Sequence, residues 1–77
     1  MKIDARADPT VLKRLSVVRL DTMLPIPDIA WADDESGKYG AYKRSGRFNE
    51  IETDEAGDPI IKEYSVGRGS IRIVRAR

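Results

Sequence analysis

Three turn signals punctuate the second half of this chain and narrow its possible folds more than any other feature. Ser45-Gly46, the stretch Asp54-Glu55-Ala56-Gly57-Asp58, and Gly67-Arg68-Gly69 each separate short runs in which apolar and charged residues alternate. Alternation with a period of two marks a half-buried strand. Residues 38–77 therefore read as an antiparallel β-meander. A two-residue turn at Ser45-Gly46 sets Lys43 opposite Phe48 and Gly40 opposite Ile51. A loop over 54–58 sets Phe48 opposite Tyr64, Glu50 opposite Lys62 and Ile51 opposite Ile61. A turn at Arg68-Gly69 sets Val66 opposite Ile71, Tyr64 opposite Ile73 and Ile61 opposite Ala76. Aromatic, ionic and aliphatic matches of this kind set the register of a sheet.

The first half is less regular. Asp8-Pro9 is a helix start, an acidic N-cap followed by proline at the first helical position. Val11, Leu12, Leu15 and Val18 follow at helical spacing. Residues 16–22 fit a helix or a strand equally, because Val17, Val18 and Leu20 serve either. Pro25-Ile26-Pro27 ends any regular element. Ile29-Ala30-Trp31 reads as an edge strand or a tether for the lone tryptophan, and Asp33-Asp34-Glu35-Ser36-Gly37 as a solvated loop. The expected fold is α+β, a short N-terminal helix packed on a small twisted meander of three or four strands, open or barrel-like. One domain spans 1–77: an N-terminal helical arm (1–24), an extended Pro-containing and acidic linker (25–37), and the meander (38–77).

A chain of 77 residues builds one core of marginal stability. Leu, Ile, Val and Phe number 18, about a quarter of the chain and above the range of disordered sequences. There is no cysteine and no histidine, so disulfides and the common zinc sites are excluded. The same absence removes the usual general bases and nucleophiles. The six glycines follow neither a dinucleotide fingerprint nor a phosphate-loop spacing. No enzyme, cofactor or metal is expected. Asp33-Asp34-Glu35 and Asp54-Glu55 with Asp58 lack calcium-loop spacing and read as solvated turns. No apolar run reaches the roughly 18 residues of a membrane span. The start, Met1-Lys2-Ile3-Asp4-Ala5-Arg6, lacks a signal-peptide core, so a cytoplasmic location or a cytosol-assembled particle is expected.

The net charge of +1 hides alternating blocks: +3 over 1–20, −5 over 21–36, +4 over 37–48, −5 over 49–63 and +4 over 64–77. In a meander, neighbouring blocks become neighbouring strands and neutralise one another. A nucleic-acid-binding protein gathers its positive charge instead.

Two surfaces follow. Large aromatics carry a disproportionate share of interface energy, which makes Trp31, Tyr39, Tyr42 and Phe48 the candidate anchors for a protein partner or a second copy. Lys38, Lys43, Arg44 and Arg47 interleave with those rings, as in surfaces that stack bases and neutralise phosphates. Arg72 and Arg75 would help them, with Arg68 at a turn tip and Arg77 at the end. Tyr39 and Tyr42 have opposite parity, however, and face opposite sides of a regular strand unless Gly40 carries a bulge. The expected function is a non-enzymatic interaction or assembly protein that binds through apolar sheet surface. Viral accessory or structural components and inhibitors of larger enzymes are the expected types. The alternative is a small nucleic-acid-binding module built on hairpin 38–48.

Overall fold

The computed structural model describes residues 1–76, so Arg77 lies outside the described residues. Its elements are β1 (Lys2–Asp4), α1 (Val11–Arg14), β2 (Leu15–Arg19), β3 (Ile29–Asp33), β4 (Lys38–Tyr42), β5 (Arg44–Ser45), β6 (Glu50–Ile51), β7 (Ile61–Ser65) and β8 (Ile71–Arg75). They form a four-stranded antiparallel sheet in the order β1-β3-β4-β7, a ribbon of β2 and β8, and a short hairpin of β5 and β6. The core lies between the sheet and the ribbon. Ile3, Ile29 and Ala32 enter it from the sheet, Val17, Ile71 and Ile73 from the ribbon, and Val11 from the helical turn.

The protein is thus mostly β, and the expected N-terminal helix is a single turn of four residues. It starts later than expected: Thr10 rather than Asp8 is the N-cap and makes no side-chain capping bond, while the Asp8 carboxylate accepts the Thr10 N–H at 3.1 Å and the Thr10 hydroxyl at 2.7 Å ahead of the turn. Leu15 then turns extended, with φ −128° and ψ 149°. Isolated helices of one turn are unstable, and the β-branched pair Val17-Val18 favours a strand. Here that strand finds a full ladder with β8, from Leu15 opposite Arg75 to Arg19 opposite Ile71. Residues 16–19 are therefore strand. Val11 enters the core, whereas Leu12 is exposed.

The expected linker, 25–37, contains β3, one of the two inner strands of the main sheet. Trp31 sits on β3 with β1 on one side and β4 on the other, rather than on an edge. Pro25 and Ile26 continue the ribbon without forming a regular strand. Pro25 bridges Val18, and the Ile26 N–H donates to the Val17 carbonyl at 2.8 Å.

Consecutive C-terminal strands pair only in the short β5–β6 hairpin and at the Thr53–Pro59 bridge, and none of the expected residue pairs forms. β7 pairs with β4, placing Tyr64 opposite Tyr39, Lys62 opposite Ala41 and Ile61 opposite Tyr42. β8 pairs with β2. Tyr64 thus meets neither Phe48 nor Ile73, and Val66 does not pair with Ile71. The first turn is wider than two residues: Arg44 faces Ile51 and Ser45 faces Glu50 across Gly46-Arg47-Phe48-Asn49. No ladder among the described residues joins β7 to β8, so the two sheets do not close into a continuous barrel.

One irregularity shapes the core face. β3 slips register between Ile29 and Trp31, so Ala30 is the extra residue of a bulge and is fully buried. An added residue reverses the side-chain alternation. Ile29 and Ala32, three positions apart, therefore both reach the core.

Candidate interaction surfaces

Strand β4 divides the aromatic cluster seen in the sequence. Because the bulge lies in β3 and β4 is regular, Tyr39 and Tyr42 point to opposite faces. Tyr39 packs against the core and stacks on Tyr64, ring centroids 5.0 Å apart and 18° from parallel. The Lys62 ammonium lies 5.4 Å from the Tyr64 ring centre, within cation–π range. Tyr42 is on the outer face, where Trp31 lies across Gly40 beside Ile61. Gly40 is itself buried by that indole. Beside them, Arg6 grips the Asp4 carboxylate through Nε and Nη2, at 3.0 and 2.9 Å, and holds its pKa down to about 2.

Beyond Tyr42 the sheet ends in a cap made of residues 43–60. Three backbone hydrogen bonds form its root: Lys43 N–H to Ile60 O at 2.9 Å, Glu52 N–H to Lys43 O at 2.8 Å, and Ile60 N–H to Glu52 O at 2.9 Å. Two hairpin turns leave that root. One carries Phe48 at its tip; the other is closed by the Thr53–Pro59 bridge. Arg44 pins the cap to the body, donating from Nε and Nη2 to the two Asp28 carboxylate oxygens at 2.8 and 2.9 Å. The same guanidinium donates from Nη1 to the Asn49 carbonyl at 2.9 Å. These bonds hold the Asp28 carboxyl below its usual pKa. Lys43 Nζ sits 3.5 Å from Glu52. No residue from 43 to 60 is buried, and Phe48 is 80% exposed.

Of the six bases expected to meet phosphate, Arg44 and Lys43 are therefore engaged by carboxylates. Lys38 and Arg47 are exposed and have no ion-pair partner among the described residues. Arg72 and Arg75 lie on the ribbon, on opposite faces of β8. The four expected anchors are also dispersed: Tyr39 half-buried against the core, Trp31 and Tyr42 on the outer sheet face, Phe48 on the cap.

Sequence reasoning missed a cleft at the other end of the β4–β7 ladder. It has a volume of about 450 Å³ and a mixed lining, the apolar side chains of Leu20, Ile26, Val66 and Ile71 and the Tyr39 ring beside Ser70 and the ion-paired Arg19 and Asp21. Three distant segments assemble it, so no local pattern encodes it. Its one local trace is Leu20, Met23 and Leu24, apolar residues crowded into a turn. Met23 and Leu24 are each more than 60% exposed there.

Asp34 was also missed as a structural residue. Its Oδ1 accepts the N-terminal ammonium at 2.7 Å and its Oδ2 accepts the Ile73 N–H at 3.1 Å, tying β1 and β8 to the β3–β4 loop. The ammonium keeps the Asp34 carboxyl below its usual pKa, and Asp34 in turn raises that of the amine. Among the described residues no three acidic side chains gather to hold a metal ion, and no helix is long and apolar enough to cross a membrane. The chain matches no protein-family model, no curated protein and no solved structure.

Proposed function

We propose that this chain is a non-enzymatic interaction or assembly protein that docks on another protein, or on a second copy of itself, through apolar surface its own strands leave uncovered. The observation that carries this reading is Phe48, 80% exposed at the tip of a cap with no buried residue. Single exposed apolar residues are ordinary. Here six of the eight large ones among the described residues gather at two ends. Phe48 and Ile51 lie on the cap, whereas Met23, Leu24, Tyr64 and Val66 lie around the cleft end. A rigid aromatic side chain on an ordered turn binds at low entropic cost, which is how interface anchors work. The Arg44–Asp28 joint and the backbone root supply that order.

Light scattering on the purified chain, alone and with mixed short DNA and RNA, tests the reading. A mass that rises with protein concentration and ignores nucleic acid supports it. A monomer that shifts with nucleic acid and reverts at high salt overturns it in favour of phosphate binding. A monomer indifferent to both directs the test to a heterologous partner, whose binding must weaken on Phe48→Ser.

A further inference from the structure

We infer that the open edge of β7 pairs antiparallel with the β7 edge of a second copy of this chain, joining the two main sheets across a two-fold axis. The inference rests on the interaction reading above and names the partner and the surface. Hydrogen bonds at the two ends of the β4–β7 ladder fix which way each peptide group of β7 faces. Lys43 N–H donates to Ile60 O at 2.9 Å, and Val66 N–H donates to Gly37 O at 2.9 Å. Bonded residues alternate along an antiparallel strand, so Lys62 and Tyr64 also bond to β4. Ile61, Glu63 and Ser65 therefore turn their N–H and C=O groups the other way, and no hydrogen bond among the described residues reaches them there. The cap does not cover this edge. Ile60 N–H donates to Glu52 O on the side where it meets Lys43, so Glu52 continues the line of β4.

The other outer edges are short or covered. β1 has three residues, and its Asp4 carbonyl accepts the Asp8 N–H at 3.0 Å. Along the far side of β2, Arg19 N–H donates to Leu24 O and Ile26 N–H to Val17 O. On the far side of β8, Asp34 takes the Ile73 N–H. An uncovered edge is a template for another strand. β7 has neither a bulge nor an internal proline to blunt it, and its last four residues are exposed.

A second copy fits because this strand complements itself. An isologous contact needs a two-fold axis, and one normal to the sheet passes through a residue facing its own copy. Centring on Lys62 or Glu63 sets like charges directly opposite, which is destabilising. Centring on Ile61 sets Pro59, which has no N–H, against Glu63. Centring on Ser65 shortens the ladder, because Gly67 at φ +95° has left the extended region. Centring on Tyr64 avoids all three. Glu63 then exchanges N–H···O=C bonds with Ser65 of the second copy, and Lys62 faces Val66 of that copy. Tyr64 already stacks on Tyr39, so meeting its own copy extends the stack across the axis. The contact also covers Tyr64 and Val66, two of the exposed large apolar residues.

The chain has no cysteine, so one introduced thiol reports the register. Tyr64 would face its copy as a non-hydrogen-bonded pair, with Cα atoms roughly 4.5 Å apart and within disulfide reach. Tyr64→Cys should therefore oxidise to a linked dimer. Lys62→Cys, on the same face but more than roughly 13 Å from its own copy, should stay unlinked. Wild-type mass should rise with concentration in sedimentation equilibrium. Glu63→Pro deletes an outward N–H and spares the β4 ladder, so it should associate at least roughly tenfold more weakly. Circular dichroism melts check its folding, and if it does not fold the cysteine pair decides. A wild type that associates while folded Glu63→Pro matches it, or while Lys62→Cys links as fast as Tyr64→Cys, overturns the inference but leaves the interaction reading standing on another surface. A wild type that is monomeric at millimolar concentration also overturns it, and leaves the interaction reading to a different protein.

Discussion

At the scale of single residues, two glycines show what the fold demands. A Cβ at Gly40 would fall on the Trp31 indole and within 2.8 Å of Ile61 Cγ2, so the outer sheet face is built around a missing side chain. Gly40→Ala should destabilise the protein by about 1–3 kcal/mol, the cost of overpacking, and should shift the emission of the lone tryptophan. An unchanged melt and spectrum would mean that the indole does not rest there. Gly37 is under a stricter constraint. Its φ of +73° disfavours any side chain, and a Cβ would collide with the Gly67 carbonyl where the β3–β4 loop crosses the 67–70 turn. Phe48 lies at the other extreme. At 80% exposure it contributes little to the folded state, so Phe48→Ser should move stability by less than about 0.5 kcal/mol. A larger loss in a urea melt would reveal a packing role that its exposure does not show.

At the scale of elements, the cap is expected to behave as a separate unit. It is held by its backbone root and by the Arg44–Asp28 pair, and it has no core of its own. Asp28 has φ +58°, which asparagine tolerates almost as well, so Asp28→Asn removes the charge without straining the backbone. Hydrogen exchange across 43–60 should then quicken roughly threefold, as expected for loss of one solvent-accessible ion pair, while the β2–β8 ladder stays unchanged. Uniform acceleration throughout the chain would show that the cap is not separable. The legibility of the elements follows the same division between local and distant. The 54–58 loop was readable, and the strands it joins do meet at the Thr53–Pro59 bridge, but the expected pairs Ile51–Ile61, Glu50–Lys62 and Phe48–Tyr64 do not form. The contact stops after Glu52 and Ile60, because β4 competes for β7 with a longer ladder that brings Tyr39 onto Tyr64. Matching neighbours in the chain could not anticipate this competition. Nor could it place β2 against β8, strands from opposite ends of the sequence. The helical spacing of Val11, Leu12, Leu15 and Val18 was real but outweighed by that ladder. Of the candidate anchors, Phe48 was legible as an exposed aromatic beside a glycine turn. The cleft was not, since it exists only after three segments meet.

At the scale of the whole molecule, Asp34 joins sheet to ribbon, and its charge makes stability depend on pH in both directions. The carboxyl groups of Asp34, Asp28, Asp8 and Asp4 are all held below the ordinary 3.8, chiefly by hydrogen bonds from the N-terminal ammonium, Arg44, Thr10 and Arg6 respectively. As pH falls, the unfolded chain takes up protons near 3.8 while the folded chain still resists them. Stability is therefore complete above about pH 5 and declines as pH drops through the folded values, Asp4 holding out to about 2. The Met1 amine shifts the other way. Its pKa is raised above 8.0, first by the hydrogen bond to Asp34 and to a lesser degree by Glu35 at 3.6 Å. Its contribution is complete below 8.0 and fades as pH rises through the folded value. The urea midpoint should accordingly form a plateau between about pH 5 and 8 and fall on both sides. Asp34→Asn removes the carboxylate that faces both the amine and the Ile73 N–H, so it should lower the plateau and flatten most of the alkaline limb. The small slope that remains belongs to Glu35, and Glu35→Gln in the same background should remove it. An alkaline limb of full size in Asp34→Asn would mean that the end of the chain is not held by this carboxylate, and that the ribbon is joined to the sheet by the apolar core alone.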